Sequence, residues 1–234
     1  MYLYSYLIAD MGMLLIWLVL FLLRKDLRKP MLFLSILFGV GGLAAERIYT
    51  SDWWRPLTIT HTTVGIEDFL FGFWVAGIAA VIYEEIFKKR IYKRKIKQER
   101  PFFHIGLYCV LLLVIFHSSF FFFKINSFYS SIVGFVPLTI VIWIKRKDLI
   151  WDSLATGFLI LFIGFLWFWI PEFFTPGWVK NYWLLNNLSG IIILKAPLED
   201  LVWGFIAGMF IGPLYEFWQG SKLIAYNPRR KNQK

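Results

Sequence analysis

The sequence predicts an all-α, polytopic membrane protein: seven transmembrane helices, laid out as two parallel three-helix repeats joined by one extra helix (3+1+3). Three observations predict it. First, in a chain of 234 residues that is 59% hydrophobic and 17% charged, nearly uncharged runs recur: Leu3–Leu23 (with Asp10), Met31–Ala45, Ile66–Ile82, Phe102–Phe123, Phe128–Ile144, Leu154–Ile170 and Leu201–Leu214. A hydrocarbon core of about 30 Å takes roughly 20 apolar residues per helix, and open sheet is excluded in lipid because its edge groups find no partner there. Second, 20 of the 25 basic residues fall on alternate loops: four at 24–29, eight at 88–100, three at 145–147 and five in the tail from Lys222. That is the positive-inside pattern. It places the N-terminus outside and the C-terminus in the cytoplasm of a cell membrane, and it accounts for the net charge of +10 without nucleic acid. Third, one segment occurs twice. Residues 65–87 align with 197–219 at a constant offset of 132, and six of the 23 positions are identical: the Glu, the Asp, a Gly, a Phe, the Tyr and the distal Glu.

The repeats set the organisation: a first three-helix unit over 1–88, a basic inner loop and linker helix over 89–124, a second unit over 125–220, and a basic tail over 221–234, which is expected to be disordered. Span 1, Tyr2–Leu23, lacks a basic n-region and a small-residue cleavage site, so it reads as a retained helix. Its Asp10 has no counterpart in the second repeat and reads as a helix-packing or near-interface residue. Arg24-Lys25-Asp26-Leu27 recurs as Arg146-Lys147-Asp148-Leu149 at the same place relative to the flanking spans. Span 2, from Pro30 to about Ile48, carries Gly39, Gly41 and Gly42, which permit close helix approach, and ends with Glu46-Arg47. Span 6 ends similarly with Pro171-Glu172.

The outer loops are aromatic, with Trp53 and Trp54 in one and Trp178, Tyr182 and Trp183 in the other. They read mostly as an interfacial belt, with a lid over an apolar pocket as the alternative. Span 4 joins the repeats and makes them parallel. Its Cys109 is the lone cysteine, which excludes an intramolecular disulfide and a cysteine metal cluster. His61, His104 and His117 have no second ligand at metal spacing. Pro213, near the inner end of span 7, is expected to kink that helix or free a carbonyl.

The candidate chemistry lies in the acids. Glu67-Asp68 and Glu199-Asp200 open spans 3 and 7, and Glu46 and Glu172 end spans 2 and 6. An acid in a first turn complements the helix dipole, so these are partly good helix starts. Capping needs only one such residue, however. Asp68, Gly72, Ala76, Ala80 and Glu84 share an i+4 ridge, as do Asp200, Gly204, Gly208, Gly212 and Glu216. The ridges predict that spans 3 and 7 face each other near a central axis. Glu67 and Glu199 then point about 100° away and border a cavity. Beside lipid, ionised carboxylates are disfavoured, so some of these acids hold a proton. Such a site suits either protonating an alkene and later removing a proton, or carrying protons and cations in transport.

Gly65-Ile66-Glu67-Asp68-Phe69-Leu70-Phe71-Gly72-Phe73 and Pro197-Leu198-Glu199-Asp200-Leu201 resemble the twin Pro-x-Glu-Glu/Asp motifs of the small integral-membrane lycopene cyclases, of the heterodimeric or fused type. The Asp148–Asp152 segment also looks like that family. Gly65 departs from the pattern, standing where proline is usual. The resemblance implies carotenoid biosynthesis: a lipophilic carotenoid or isoprenoid substrate drawn from membrane lipid, and a redox-neutral isomerisation closing lycopene ψ-ends to β-rings with no cofactor consumed. Glu67 and Glu199 are then the first candidates for proton transfer, Asp68 and Asp200 the second, Glu46 and Glu172 the third. Phe71, Trp74 and Trp203 are candidates to hold the cation through their ring faces.

No Gly-x-Gly-x-x-Gly follows a strand, which disfavours a dinucleotide-dependent cyclase. A small-solute or proton-coupled transporter shares the 3+1+3 layout, but neither repeat contains a Pro-Gln pair. A retinal Schiff base is disfavoured because the only lysine near span 7, Lys195, lies before its start.

Overall fold

The computed structural model describes residues 2–92 and 101–226, with no side-chain description for 101–104. The sequence readings on Lys93, Arg94, Lys95, Lys97, Arg100, the His104 side chain, Arg229, Arg230, Lys231 and Lys234 lie outside the described residues.

Six stretches are long and apolar enough to cross a membrane: Tyr2–Leu23, Arg28–Asp52, Ile66–Ile86, Ser127–Lys145, Lys147–Phe174 and Leu198–Gln219. The helices within them are α1 (Ser5–Leu23), α2 (Arg28–Asp52), α3 (Ile66–Ala79) with its short continuation α4 (Ile82–Ile86), α6 (Ser127–Lys145), α7 (Ile150–Phe174), and α9 (Leu198–Ile211) continued by α10 (Leu214–Gln219). The stretch expected as span 4 is α5 (Pro101–Phe121). Its described part, Ile105–Phe121, is apolar but shorter than the other six. A five-residue helix, α8 (Trp178–Tyr182), three 3-10 turns and four short strands complete the described elements.

Within each half, the small-residue ridge packs on the neighbouring helix of the same half. A β-carbon at Gly72 would collide with the Phe38 carbonyl of α2, and one at Gly42 would stand 2.6 Å from the Asp68 carbonyl. In the second half a β-carbon at Gly208 would stand 3.0 Å from the Thr156 carbonyl of α7. The glycines thus join α3 to α2 and α9 to α7. This differs from the expectation that the two ridges face each other: α3 and α9 touch instead through larger side chains, with the Phe71 and Trp203 rings 5.6 Å apart. Those two residues are separated by 132, so each half offers the same position to the contact.

The halves also exchange end contacts. At the start of α1, Ser5 Oγ lies 2.8 Å from Thr175 Oγ1 just beyond α7. At the start of α6, the Ser127 amide donates to Asp52 at the end of α2, 3.0 Å. The recurring Arg-Lys-Asp-Leu segment is a clamp. Arg24 forms a fork with Asp26, both bonds 3.0 Å, and donates to the Lys89 carbonyl at 2.6 Å. Arg146 forks with Asp148, both bonds 2.8 Å, and donates to the Ser221 carbonyl at 2.6 Å. Lys89 and Ser221 are again 132 apart. Paired, charge-assisted bonds of this kind fix orientation as well as adding energy, and here they tie the end of each first helix to the segment after each third helix.

Both third helices break at the same place. In the second half the break is at Gly212-Pro213, where proline cannot donate to the carbonyl four residues earlier; that Met209 carbonyl accepts from Ser153 Oγ at 2.6 Å. In the first half the aligned residue is Val81, with φ −144° between α3 and α4, so the break there needs no proline. The tail differs from expectation. Lys222–Ala225 (β4) pairs antiparallel with Lys89–Tyr92 (β1), in the register Lys89 with Ala225. Polar composition concealed this because the partner strand lies far upstream.

The close helix seam generates an asymmetric prediction. Gly72→Ala is expected to lower the thermal midpoint of the detergent-solubilised protein, by overpacking worth about 1–3 kcal/mol. Gly204→Ala, whose β-carbon would meet nothing nearer than 3.8 Å, is expected to leave the midpoint nearly unchanged.

Candidate active site

A cavity of about 270 Å³ lies between α2, α3, α5, α6 and α9, roofed by the outer-loop tryptophans Trp53 and Trp54. Its lining is almost wholly apolar, and three carboxyl groups interrupt it: Glu46, Asp68 and Asp200. Phe71, Phe135, Trp167 and Trp203 supply aromatic faces. Val40 of α2 (57% exposed) and Leu113 of α5 (37%) line the cavity and also reach the outer surface.

The two aspartates are held by donors from aromatic side chains. Asp200 Oδ2 accepts from the indole of Trp183 at 2.8 Å and of Trp53 at 3.1 Å. Asp68 Oδ1 accepts from the Tyr6 hydroxyl at 3.0 Å, and its Oδ2 accepts from the Gly65 amide at 2.7 Å. Among the described residues, Glu46 Oε1 is buried without a partner.

The two aspartates differ for a reason visible in the residues before them. Gly65 has an amide hydrogen, and Asp68 turns back to accept from it, a helix-start role. Pro197, at the aligned position, has none. Asp200 has no such donor and is bonded by two indoles instead. Trp203 is oriented in turn: its indole donates to the Tyr49 hydroxyl at 3.1 Å, which lies 3.0 Å from Ser131 Oγ.

The remaining candidate residues lie elsewhere. Glu67 Oε1 accepts from the Ile59 amide at 2.8 Å, and Glu199 Oε1 from the Ser189 amide at 2.7 Å. Both are buried, and both hold the loop that leads into their helix; neither lines the cavity. Glu172 accepts from the Gly177 and Val179 amides at 3.1 and 2.8 Å, fixing the start of α8. Trp74 donates to Asp10 Oδ1 at 2.8 Å, as does Trp167 at 3.1 Å. Asp10, fully buried, is therefore a packing residue held by two indoles, one of which also walls the cavity.

The outer tryptophans depart from an interfacial belt. Trp53, Trp54, Trp178 and Trp183 are buried, the Trp54 and Trp183 rings stand 5.0 Å apart, and the backbones of the two loops are stitched by Arg55 N to Tyr182 O and Leu184 N to Trp53 O, each 2.7 Å. They form a roof. Its donors were not identified from the sequence, which contains 12 tryptophans and no local mark of which indole meets which acid.

Residues 126–218 match the family model described as lycopene cyclase. The match supports a lycopene cyclase family assignment. No curated protein and no solved structure matches the chain. The matched stretch runs from the start of α6 through the cavity-lining Asp200 and Trp203. A match to this family model supports a carotenoid cyclase function, and an almost wholly apolar cavity suits a lipophilic molecule.

Replacing Trp183 by Phe removes one of two donors to a desolvated carboxyl. Trp183→Phe is expected to destabilise the solubilised protein by about 0.5–1.5 kcal/mol, read as a fall in thermal midpoint. Trp178→Phe, whose indole nitrogen is buried without a partner, loses packing alone and is expected to fall less.

Proposed function

We propose that this chain is a seven-span membrane carotenoid cyclase, N-terminus outside and C-terminus cytoplasmic, built from two duplicated three-helix units joined by α5. It closes lycopene ψ-ends to β-rings by proton-initiated cyclisation. One observation carries the reading: Glu46, Asp68 and Asp200 face a single apolar, aromatic-walled cavity. At about 270 Å³ it is below the roughly 300–1,000 Å³ of drug-sized pockets. It therefore takes one end of a long polyene, and the rest of the molecule extends past Val40 and Leu113 toward lipid.

In the reaction, a protonated carboxyl gives its proton to the terminal alkene, forming a C–H bond and a tertiary cation. The neighbouring alkene attacks that cation, forming the ring C–C bond and moving the charge. A carboxylate then removes a ring proton to leave the ring alkene. One proton enters and one leaves, so the product is an isomer of the substrate. Asp200 is our choice of donor: both indoles bond its Oδ2 and fix the group, and its Oδ1 is left to carry the proton. The pair Glu46 and Asp68 supplies the accepting carboxylate. The ring faces of Phe71, Trp167 and Trp203 stabilise the cation, an attraction worth about 2 kcal/mol or more when desolvated. Glu67, Glu199 and Glu172 are positioning residues that fix the loops, and Trp74 acts through Asp10.

Pigment composition in a lycopene-producing host tests these roles. Asp200→Asn is expected to lower conversion by about 10²–10⁴-fold, the usual contribution of a proton-transfer group. Glu67→Gln and Glu199→Gln keep the oxygen that accepts the loop amide and are expected to retain conversion. If Asp200→Asn converts lycopene normally while Glu67→Gln and Glu199→Gln do not, the assignment is wrong.

A further inference from the structure

The inner ends of the broken helices carry a second group of acids that the cyclisation does not use. Glu84 of α4, Asp152 of α7 and Glu216 of α10 come together, each offering one carboxylate oxygen within 4.8 Å of the others. Their exposures are 1%, 2% and 0%. Glu84 and Glu216 are the distal glutamates of the duplicated segment, brought inward by the matching helix breaks at Val81 and Pro213. Along α3 and α4, Glu84 is separated from the cavity acid Asp68 by about 24 Å at 1.5 Å per residue.

A second, independent observation points to a ligand. Among the described residues, neither carboxylate oxygen of Glu216 has a partner beyond its own main-chain amide, and Glu84 Oε1 and Asp152 Oδ2 are likewise buried without one. The other Asp152 oxygen is engaged, accepting from Thr156 Oγ1 at 3.2 Å. Arg24 and Arg146, just beyond α1 and α6, are the basic residues of the two clamps. Their guanidinium groups are bonded to Asp26, Glu85 and the Lys89 carbonyl on one side, and to Asp148 and the Glu216 and Ser221 carbonyls on the other. Buried carboxylates are ordinarily paired or bound to metal, and among the described residues no side-chain cation is bonded to the three acids.

We propose that Glu84, Asp152 and Glu216 bind one hard divalent cation that staples the inner ends of the two halves. The donor set is all oxygen, as magnesium, manganese and calcium require. Three oxygens at most 4.8 Å apart put the centre of their triangle about 2.8 Å from each, so a closure of a few tenths of an ångström reaches the 2.3–2.6 Å of calcium ligands. Water completes the coordination shell. The ion joins α4, α7 and α10, and it stabilises the folded state by mass action.

The test uses the full-length protein in detergent, stripped with chelator and titrated with Mn²⁺. Electron paramagnetic resonance is expected to show one bound Mn²⁺ per chain, displaced by Ca²⁺ or Mg²⁺, with a thermal midpoint that rises with ion concentration. Asp152→Asn and Glu84→Gln are each expected to weaken Mn²⁺ binding at least tenfold. Should either variant fail to fold, the wild-type titration still decides. A spectrum of free aqueous Mn²⁺ at stoichiometric concentration overturns the site, as does bound signal that persists in both variants. An infrared protonated-carboxyl band that Asp152→Asn removes and Mn²⁺ leaves unchanged would assign the cluster to shared protons instead. None of these readouts involves lycopene, so they stand apart from the cyclase reading.

Discussion

The structure depends on the hydrogen bonding of carboxyl groups that have been taken out of water. A carboxyl in an apolar interior is costly unless its oxygens are matched by donors, and this chain matches several of them with aromatic side chains. Trp53 and Trp183 hold Asp200. Tyr6 holds Asp68. Trp74 and Trp167 hold Asp10. An aromatic donor presents one polar atom on a large apolar body, so the same side chain fixes the acid and builds the hydrocarbon wall around it. That double use gives a physical reason for an aromatic share of 21%, and it lets acids and a polyene share one cavity.

The two halves are built alike but are not equivalent, and the difference arises at one residue. Gly65 supplies an amide that occupies Asp68 in starting its helix. Pro197 supplies none, and Asp200 is held by indoles reaching from both halves. Duplication provides paired acids, and a single substitution before the helix gives them different surroundings. Differing surroundings are how two carboxyls come to serve as acid and base.

Much of the helical layout was legible because apolar length and loop charge depend only on local composition. The recurrence at 132 marked positions that the structure uses alike, with Phe71 touching Trp203 and the Arg24 and Arg146 clamps reaching Lys89 and Ser221, but it did not say which contacts they make. Which member of each acid pair faces the cavity was not legible. Neighbouring residues differ by about 100°, and the choice depends on how each helix is rotated against its neighbours. The small-residue ridges set that rotation by packing on α2 and α7, and they leave Glu67 and Glu199 turned to their loops. The ridge was read correctly as a close-packing surface, but its partner was not, because a glycine pattern does not say which helix approaches it. Trp53 and Trp183 were equally hidden, since a loop tryptophan that seeks an interface and one that holds a buried acid look alike in sequence. The break at Val81 carried no proline to announce it.

The central claim is that carboxyl groups facing an apolar cavity pass a proton to the hydrocarbon and take another back. Conversion of lycopene by the purified protein in deuterated water tests it most directly, with the product analysed by mass spectrometry. The account predicts one deuterium retained per ring formed, and loss of labelled product in Asp200→Asn. Cyclised product that carries no solvent deuterium would contradict it.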